Sequence, residues 1–353
     1  MDERLYNSRF MKATRGEDVD CTPVWLMRQA GRYMKDYRDV RARGTFMDLC
    51  TKPELACEVT VTAQEKLGAD AAILFADLLP VMIEMGFDLE YIEGKGPTIH
   101  NPVKQAADVD RIKTHDPKQT MPFTAESVRQ IRAALKPDIP LIGFAGLPFT
   151  LAAYAIEGGG SKHYIDVKRF MWSDTGAWNA LCERFVDTLI PYSLMQIEAG
   201  VQAFQFFDSW VGSLSPQDYR EYVQPHVKRV FAGVREGMKA MGKDIPLIHF
   251  GVGTATFLHL QHECGGDVLG MDWHTPIRAN WEKLEGLKSV QGNLDPITLY
   301  APWETLKRKA DEVLDDVGNK PGHIFNLGHG ILPKTPVDNV IDLVKYVHER
   351  TAR

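Results

Sequence analysis

The sequence predicts an α/β protein folded as a single (β/α)8 barrel of the TIM type over residues 1–353, with a small hairpin inserted after the second strand. Three observations predict it. Short apolar runs rich in β-branched and aromatic residues alternate with helical periodicity, the pattern of parallel strands joined by crossover helices. Eight such runs can be counted along the chain. No Gly/Ser/Pro-rich linker divides them, and the GxGxxG turn that a doubly wound open sheet would want after an early strand is missing.

In chain order the runs are Val24–Met27, Ala71–Phe75, Leu141–Phe144, Ala203–Phe207, Leu247–Phe250, Val268–Met271, Ser289–Gln291 and His323–Asn326. Helices announce themselves between the runs. Thr51 with Glu54, Ser215 with Asp218, and Thr335 with Asp338 have the spacing of capping boxes, in which a hydroxyl caps the third helical N–H. Leu55, Val59, Thr62, Ala63 and Leu67 line one face of the first helix, which Gly68 can end. Pro225 should kink the second, and Val340, Ile341, Val344 and Val347 share a face of the last. Residues Leu89–Asn101 have the look of the hairpin insertion, and Glu157 to Ser161 that of a glycine-rich loop.

Composition narrows the class. The chain is 44% hydrophobic and 25% charged, as globular proteins are, and its formal charge of -6 argues against nucleic acid or an anionic membrane as partner. Its apolar runs are too interrupted to cross a bilayer. Five scattered cysteines without a CxxC pair predict neither a disulfide framework nor a cysteine-zinc cluster, and the amino-terminal segment has no leader pattern, so a cytoplasmic protein is expected. Against this acidic total, residues 28–43 carry six basic side chains and two acidic ones. That local excess suits an anionic ligand.

A TIM-type barrel builds its site at the carboxyl ends of its strands, so the polar residues just after each run are the candidates. Arg28 and Arg32 follow the first run four residues apart, where planar guanidiniums can grip carboxylates; surface ion pairs with Asp36 or Asp39 are the alternative. Asp77 lies among apolar neighbours and needs a donor or cation beside it, in a catalytic role or as a helix cap. Phe207, Asp208 and Ser209 close an aromatic run. His329 stands between Gly328 and Gly330, which would let the backbone approach a ligand. His249, His259, His262 and Cys264 supply metal-type donors in no familiar spacing, so no metal is predicted.

Several of these segments resemble the uroporphyrinogen decarboxylase family. They are PVWLMRQAGR, which contains Arg28, Gln29, Ala30, Gly31 and Arg32 ahead of Tyr33; the Phe75–Asp77 strand end; Gly146 to Thr150; Tyr154 with Glu157 to Ser161; and Asn326 to Gly330. The likeness runs in order from about residue 4 to the carboxyl terminus. It implies a homodimeric (β/α)8 enzyme that turns all four acetates of uroporphyrinogen III into methyl groups, giving coproporphyrinogen III without cofactor or metal. By the same resemblance Arg28, Gln29, Arg32 and Arg41 would bind substrate carboxylates, Ala30 and Gly31 would belong to the substrate-binding segment beside them, and Asp77 would bind the central pyrrole N–H groups. Tyr154, Phe207, Ser209 and His329 would line the cleft.

The chemistry is coherent without a cofactor. Protonating the pyrrole carbon that bears the acetate makes the ring its own electron sink, and a fixed carboxylate facing the nitrogens stabilises the cation. The proton donor stays open among the Arg28–carboxylate network, Tyr154 and His329. Two other readings are a methyltransferase of the same fold, which would hold zinc with a His-x-Cys pair that His249, followed by Phe250 and Gly251, does not supply, and a non-catalytic tetrapyrrole carrier.

Overall fold

The computed structural model describes residues 2–318 and 320–353. Its strands are β1 (Ala72–Ile73), β2 (Leu89–Ile92), β3 (Gly96–Ile99), β4 (Leu141–Gly146), β5 (Ala203–Asp208), β6 (Leu247–Gly251), β7 (Val268–Gly270), β8 (Ser289–Gln291) and β9 (His323–Ile324). Seven of them form one curled parallel sheet in the order β1-β4-β5-β6-β7-β8-β9, and β2 pairs antiparallel with β3, Tyr91 opposite Pro97. The expected eighth parallel strand, Val24–Met27, is a correction: it is reduced to one bridge between Val24 and Phe325. Side chains take the N–H groups a ladder would have used. Asp70 accepts from Val24 at 2.7 Å, Gln29 from Leu26 at 3.2 Å, and Asn326 from Met27 at 3.1 Å.

Residues 23–27 nevertheless join the two edges of the sheet. On one side Phe325 donates its N–H to the Pro23 carbonyl, and on the other Asp70 donates its own to the Val24 carbonyl. Trp25, Met27, Ala71, Ile142, Ala203, Ile248, Phe250, Val268 and Ile324, drawn from almost every strand, pack as one cluster inside the curl with Phe10 and Met11. A polar chain crosses that interior: Trp25 donates to Gln291, and Gln291 to Gln205. The outer face is covered by helices, including Pro53–Leu67, Pro122–Ala134, Thr175–Ala199 and Gln224–Ala240.

Helix boundaries depart from the sequence in two places. Thr51 ends the helix Phe46–Thr51 and donates back to the Met47 carbonyl, so Pro53–Leu67 starts on Pro53 with no side-chain cap. The capping box lies at Thr45 and Asp48 instead. The Thr335 hydroxyl finds no partner among the described residues, because Pro336 occupies the cap position before Val337–Thr351. Ser215 does cap Asp218, Gly68 ends its helix with φ 67°, and the turn ahead of Pro225 relaxes into a π-type Tyr219–Val223 segment, since proline supplies no N–H to the regular ladder.

Candidate active site

Because the sheet strands run parallel, the segments after them emerge at one end, and the candidate residues gather there. Asp77 follows β1. Its Oδ1 accepts from the Leu79 N–H at 3.0 Å and from the Tyr91 hydroxyl at 2.7 Å, while no cation of the described residues pairs with it. Leu79 makes this partly the local cap that the sequence left open. Tyr91, on β2, has no sequence signal that would have singled it out. Its ring packs on Phe46 at 4.7 Å, and desolvation together with the Asp77 charge holds its hydroxyl far above the usual range.

Arg28 adopts a left-handed backbone, φ 63°, rare for a side chain of its size. Its carbon stem lies over Gly330, where a Cβ would run into Arg28 Cδ. A Cβ on Gly328 would likewise run into the Trp273 backbone N, so both glycines make room for the protein's own atoms rather than for a ligand. The Arg28 charge reaches His329 and Tyr154. His329 Nδ1 accepts from the Gly330 N–H at 2.7 Å, and burial with the nearby guanidinium lowers the imidazole to about 4. Near neutrality it is therefore uncharged, with its remaining proton on Nε2: a hydrogen-bond donor with no proton to spare.

Tyr154, on the helix Pro148–Glu157 after β4, packs its ring on Trp210 at 4.0 Å, and burial and the Asp77 charge push its phenol well up. Trp210 follows Ser209 at the end of β5. Phe207 is wedged between Phe144 at 5.6 Å and Phe250 at 5.8 Å, half-buried. Its neighbour Asp208 turns the other way, fully buried, with its carboxyl raised by desolvation and His249 3.7 Å away.

The basic segment sorts itself. Lys35 pairs with Asp39 and Arg43 with Glu58; Arg38 and Arg41 donate to carbonyls. Arg28 and Arg32, both exposed, have no ion-pair partner among the described residues, which removes the expected alternative of pairing with Asp36 or Asp39. Arg32 and Arg41 act on Tyr37, pushed up to about 12 mainly by burial, whose ring is 5.5 Å from Phe75. Gln29 is buried and its amide is consumed between Leu26 and the Ala71 carbonyl; Ala30 and Gly31 are half-buried beside it. Among the described residues no three His, Cys, Asp or Glu side chains gather as a metal group, and no helix is long and apolar enough to cross a membrane.

The family model described as uroporphyrinogen decarboxylase matches residues 5–350. The chain is 47% identical over 343 residues to a uroporphyrinogen decarboxylase of Carboxydothermus hydrogenoformans, covering 97% of this chain and 96% of that one. It is 46% identical over 349 residues to one from Thermus thermophilus, covering 99% of each. Among solved structures, a methyltransferase from Methanosarcina mazei superposes with TM-score 0.76 at 21% identity, covering 97% and 99% of the two chains. A B12-independent methionine synthase from a Shewanella species reaches TM-score 0.56 at 13% identity, covering 84% of this chain and 87% of its own. At such identities the last two are likenesses of fold alone.

Proposed function

The chain belongs to the uroporphyrinogen decarboxylase family, carboxy-lyases of tetrapyrrole biosynthesis, and on that premise we propose how its residues carry the reaction. The substrate is uroporphyrinogen III and the product coproporphyrinogen III, reached by loss of four carboxyl groups as carbon dioxide. A single (β/α)8-type domain, closed by residues 23–27 and carrying β2 and β3 as a hairpin insertion, holds the site at its strand ends.

The observation that carries the mechanism is charge left unpaired on one rim. Among the described residues Arg28 and Arg32 have no carboxylate, and Asp77 has no cation. The guanidiniums of Arg28, Arg32 and Arg41 receive substrate carboxylates in bidentate fashion. Asp77 receives the pyrrole N–H groups, and when the ring carbon next to the acetate-bearing one is protonated the same carboxylate stabilises the cationic ring; the acetate-bearing carbon itself must stay unsaturated, because a proton there would leave the departing electron pair no adjacent acceptor. The C–C bond to the carboxylate then breaks, its electron pair forming an exocyclic methylene on the ring; protonation of that methylene and loss of the proton first added to the ring leave a methyl group on a neutral pyrrole, one proton being consumed for each carbon dioxide released. No cofactor is called for by this scheme. Of the three proton sources, His329 is the poorest, because its imidazole is neutral at pH 7; it serves as a donor to substrate oxygen through Nε2. Tyr154, Phe207 and Ser209 line the cleft, and Gln29, Ala30 and Gly31 shape the turn that presents Arg28.

Anaerobic incubation with uroporphyrinogen, with carboxyl number followed by chromatography, tests the activity. Asp77→Ala should lower turnover by at least about a hundredfold, far more than it lowers stability, where the loss is that of the bonds from Leu79 and Tyr91. Near-normal turnover by that variant would remove Asp77 from the chemistry, and unprocessed but bound substrate with the wild type would favour a carrier. We further propose a cytoplasmic homodimer. Ile165 and Trp172, seven residues apart and so on one face of the helix Ile165–Ser173, are 65% and 52% exposed, two large apolar side chains that a second copy would cover. Sedimentation equilibrium showing only monomer would reject it.

A further inference from the structure

An ionised carboxylate offers about four acceptor positions, two on each oxygen. In Asp77 both positions on Oδ1 are taken, by the Leu79 N–H at 3.0 Å and the Tyr91 hydroxyl at 2.7 Å. Oδ2 accepts no bond from the described residues, and it is absent from the buried unpartnered atoms, so it is open to solvent. The carboxylate is thus turned in a fixed sense, one oxygen tied and one free. We infer that Tyr91 is a positioning residue of the decarboxylation, holding Asp77 by Oδ1 so that Oδ2 faces the pyrrole N–H groups. This rests on the reading of Asp77 given above.

The tyrosine is itself well held. Its ring lies against Phe46, 4.7 Å between centroids, and its backbone is opposite Pro97 in the pairing of β2 with β3. That pair is tied in turn to the end of the helix bearing Tyr154, through the Thr98–Gly159 bridge and the Ile99 N–H on the Gly158 carbonyl. A hydroxyl desolvated beside a carboxylate keeps its proton at any working pH, so Tyr91 remains a donor throughout the cycle. The Leu79 N–H alone would leave the carboxyl free to rotate about its last bond, and a reacting group that is out of line loses rate rather than affinity.

Tyr91→Phe removes the hydroxyl and keeps the ring on Phe46. The expected result is a fall of about tenfold in kcat, the loss of one hydrogen bond to a charged acceptor. KM should stay within about twofold, since arginines hold the substrate carboxylates, and the thermal midpoint should not move. A double-mutant cycle with Asp77→Asn separates the claims, because a residue acting through Asp77 has nothing further to lose once Asp77 is altered. Tyr91→Phe in that background should leave kcat where Asp77→Asn put it. An unchanged kcat in Tyr91→Phe, or the same fractional loss in both backgrounds, overturns the inference while leaving Asp77 in place. Full activity in Asp77→Asn overturns the reading of Asp77 instead.

Discussion

Gly330 shows how a single missing atom can set the geometry of a cleft. Its N–H fixes the His329 tautomer, and its bare Cα is the surface on which the Arg28 stem rests; any larger residue there would drive its Cβ into Arg28 Cδ unless one of them moved. Gly330→Ala should therefore displace Arg28 and raise KM for the polycarboxylate about tenfold, with a smaller change in kcat, because uniform substrate binding is what is lost. Arg28→Lys is the companion test: charge is kept and the planar fork is not, so KM should rise as well. Steady-state kinetics on both variants read this directly, and a KM equal to wild type in Gly330→Ala would mean the guanidinium does not depend on that contact. Arg28, Asp77, Tyr154 and His329 are legible in the sequence because each is polar and follows an apolar run. Tyr91 is not, since Leu89, Glu90, Tyr91 and Ile92 alternate as any exposed strand does, and only the folded pair brings that hydroxyl to Asp77. The glycines beside His329 hide their role for the same reason: glycine marks a close approach without saying what approaches.

Among the elements, the sheet is fastened at its amino end by side chains that precede one strand and bond the first N–H of the one before. Asp70 takes the N–H of Val24, Gln202 that of Leu141 at 2.8 Å, and Asp267 that of Leu247 at 2.7 Å. Asp70 carries the most, for it also receives Arg9 at 2.7 Å and His348 at 2.7 Å, and so binds the amino-terminal helix, the closing segment 23–27 and the last helix together. Asp70→Asn keeps the size and an acceptor but drops the charge, leaving the Arg9 guanidinium beside a neutral amide. A loss of about 2–3 kcal/mol in urea unfolding is expected, with kcat unchanged in the folded protein because Asp70 lies at the far end of the sheet from Asp77. Equal stability of the variant would show that the clip is redundant with Asp20, the other partner of Arg9. These fastenings explain what stays hidden at this scale. The seven parallel strands can be read from apolar runs, whereas Val24–Met27 looks like an eighth and is held by Asp70, Gln29 and Asn326, residues distant or ambiguous in sequence. The threonines before Pro53 and Pro336 do not cap because proline moves each helix start off the expected register.

For the molecule as a whole, charge is settled at one end and left open at the other, the division of stability from function expected of parallel sheets of this kind. Its response to acid follows from two histidines buried without charge. His323, in β9, is fully buried, donates through Nε2 to the Gly292 carbonyl at 2.7 Å, and is lowered to about 4 by desolvation, against a small opposing pull from that carbonyl and Asp316. His329 is lowered to about 4 at the rim. In the unfolded chain such side chains take up a proton near pH 6.5, while in the folded protein they resist until about pH 4. The unfolded state thus binds more protons across that window, and stability falls as pH falls through it, by up to about 1.4 kcal/mol per pH unit for each histidine. Above pH 7 neither contributes a slope. His323→Gln should be less stable at pH 7, having lost a packed imidazole, yet its unfolding free energy should decline less steeply between about pH 6.5 and pH 4.5 than that of the wild type. Parallel slopes in urea titrations over that range would mean that His323 is protonated in the folded protein, with the strand β9 able to admit a charge or water that its complete burial now excludes.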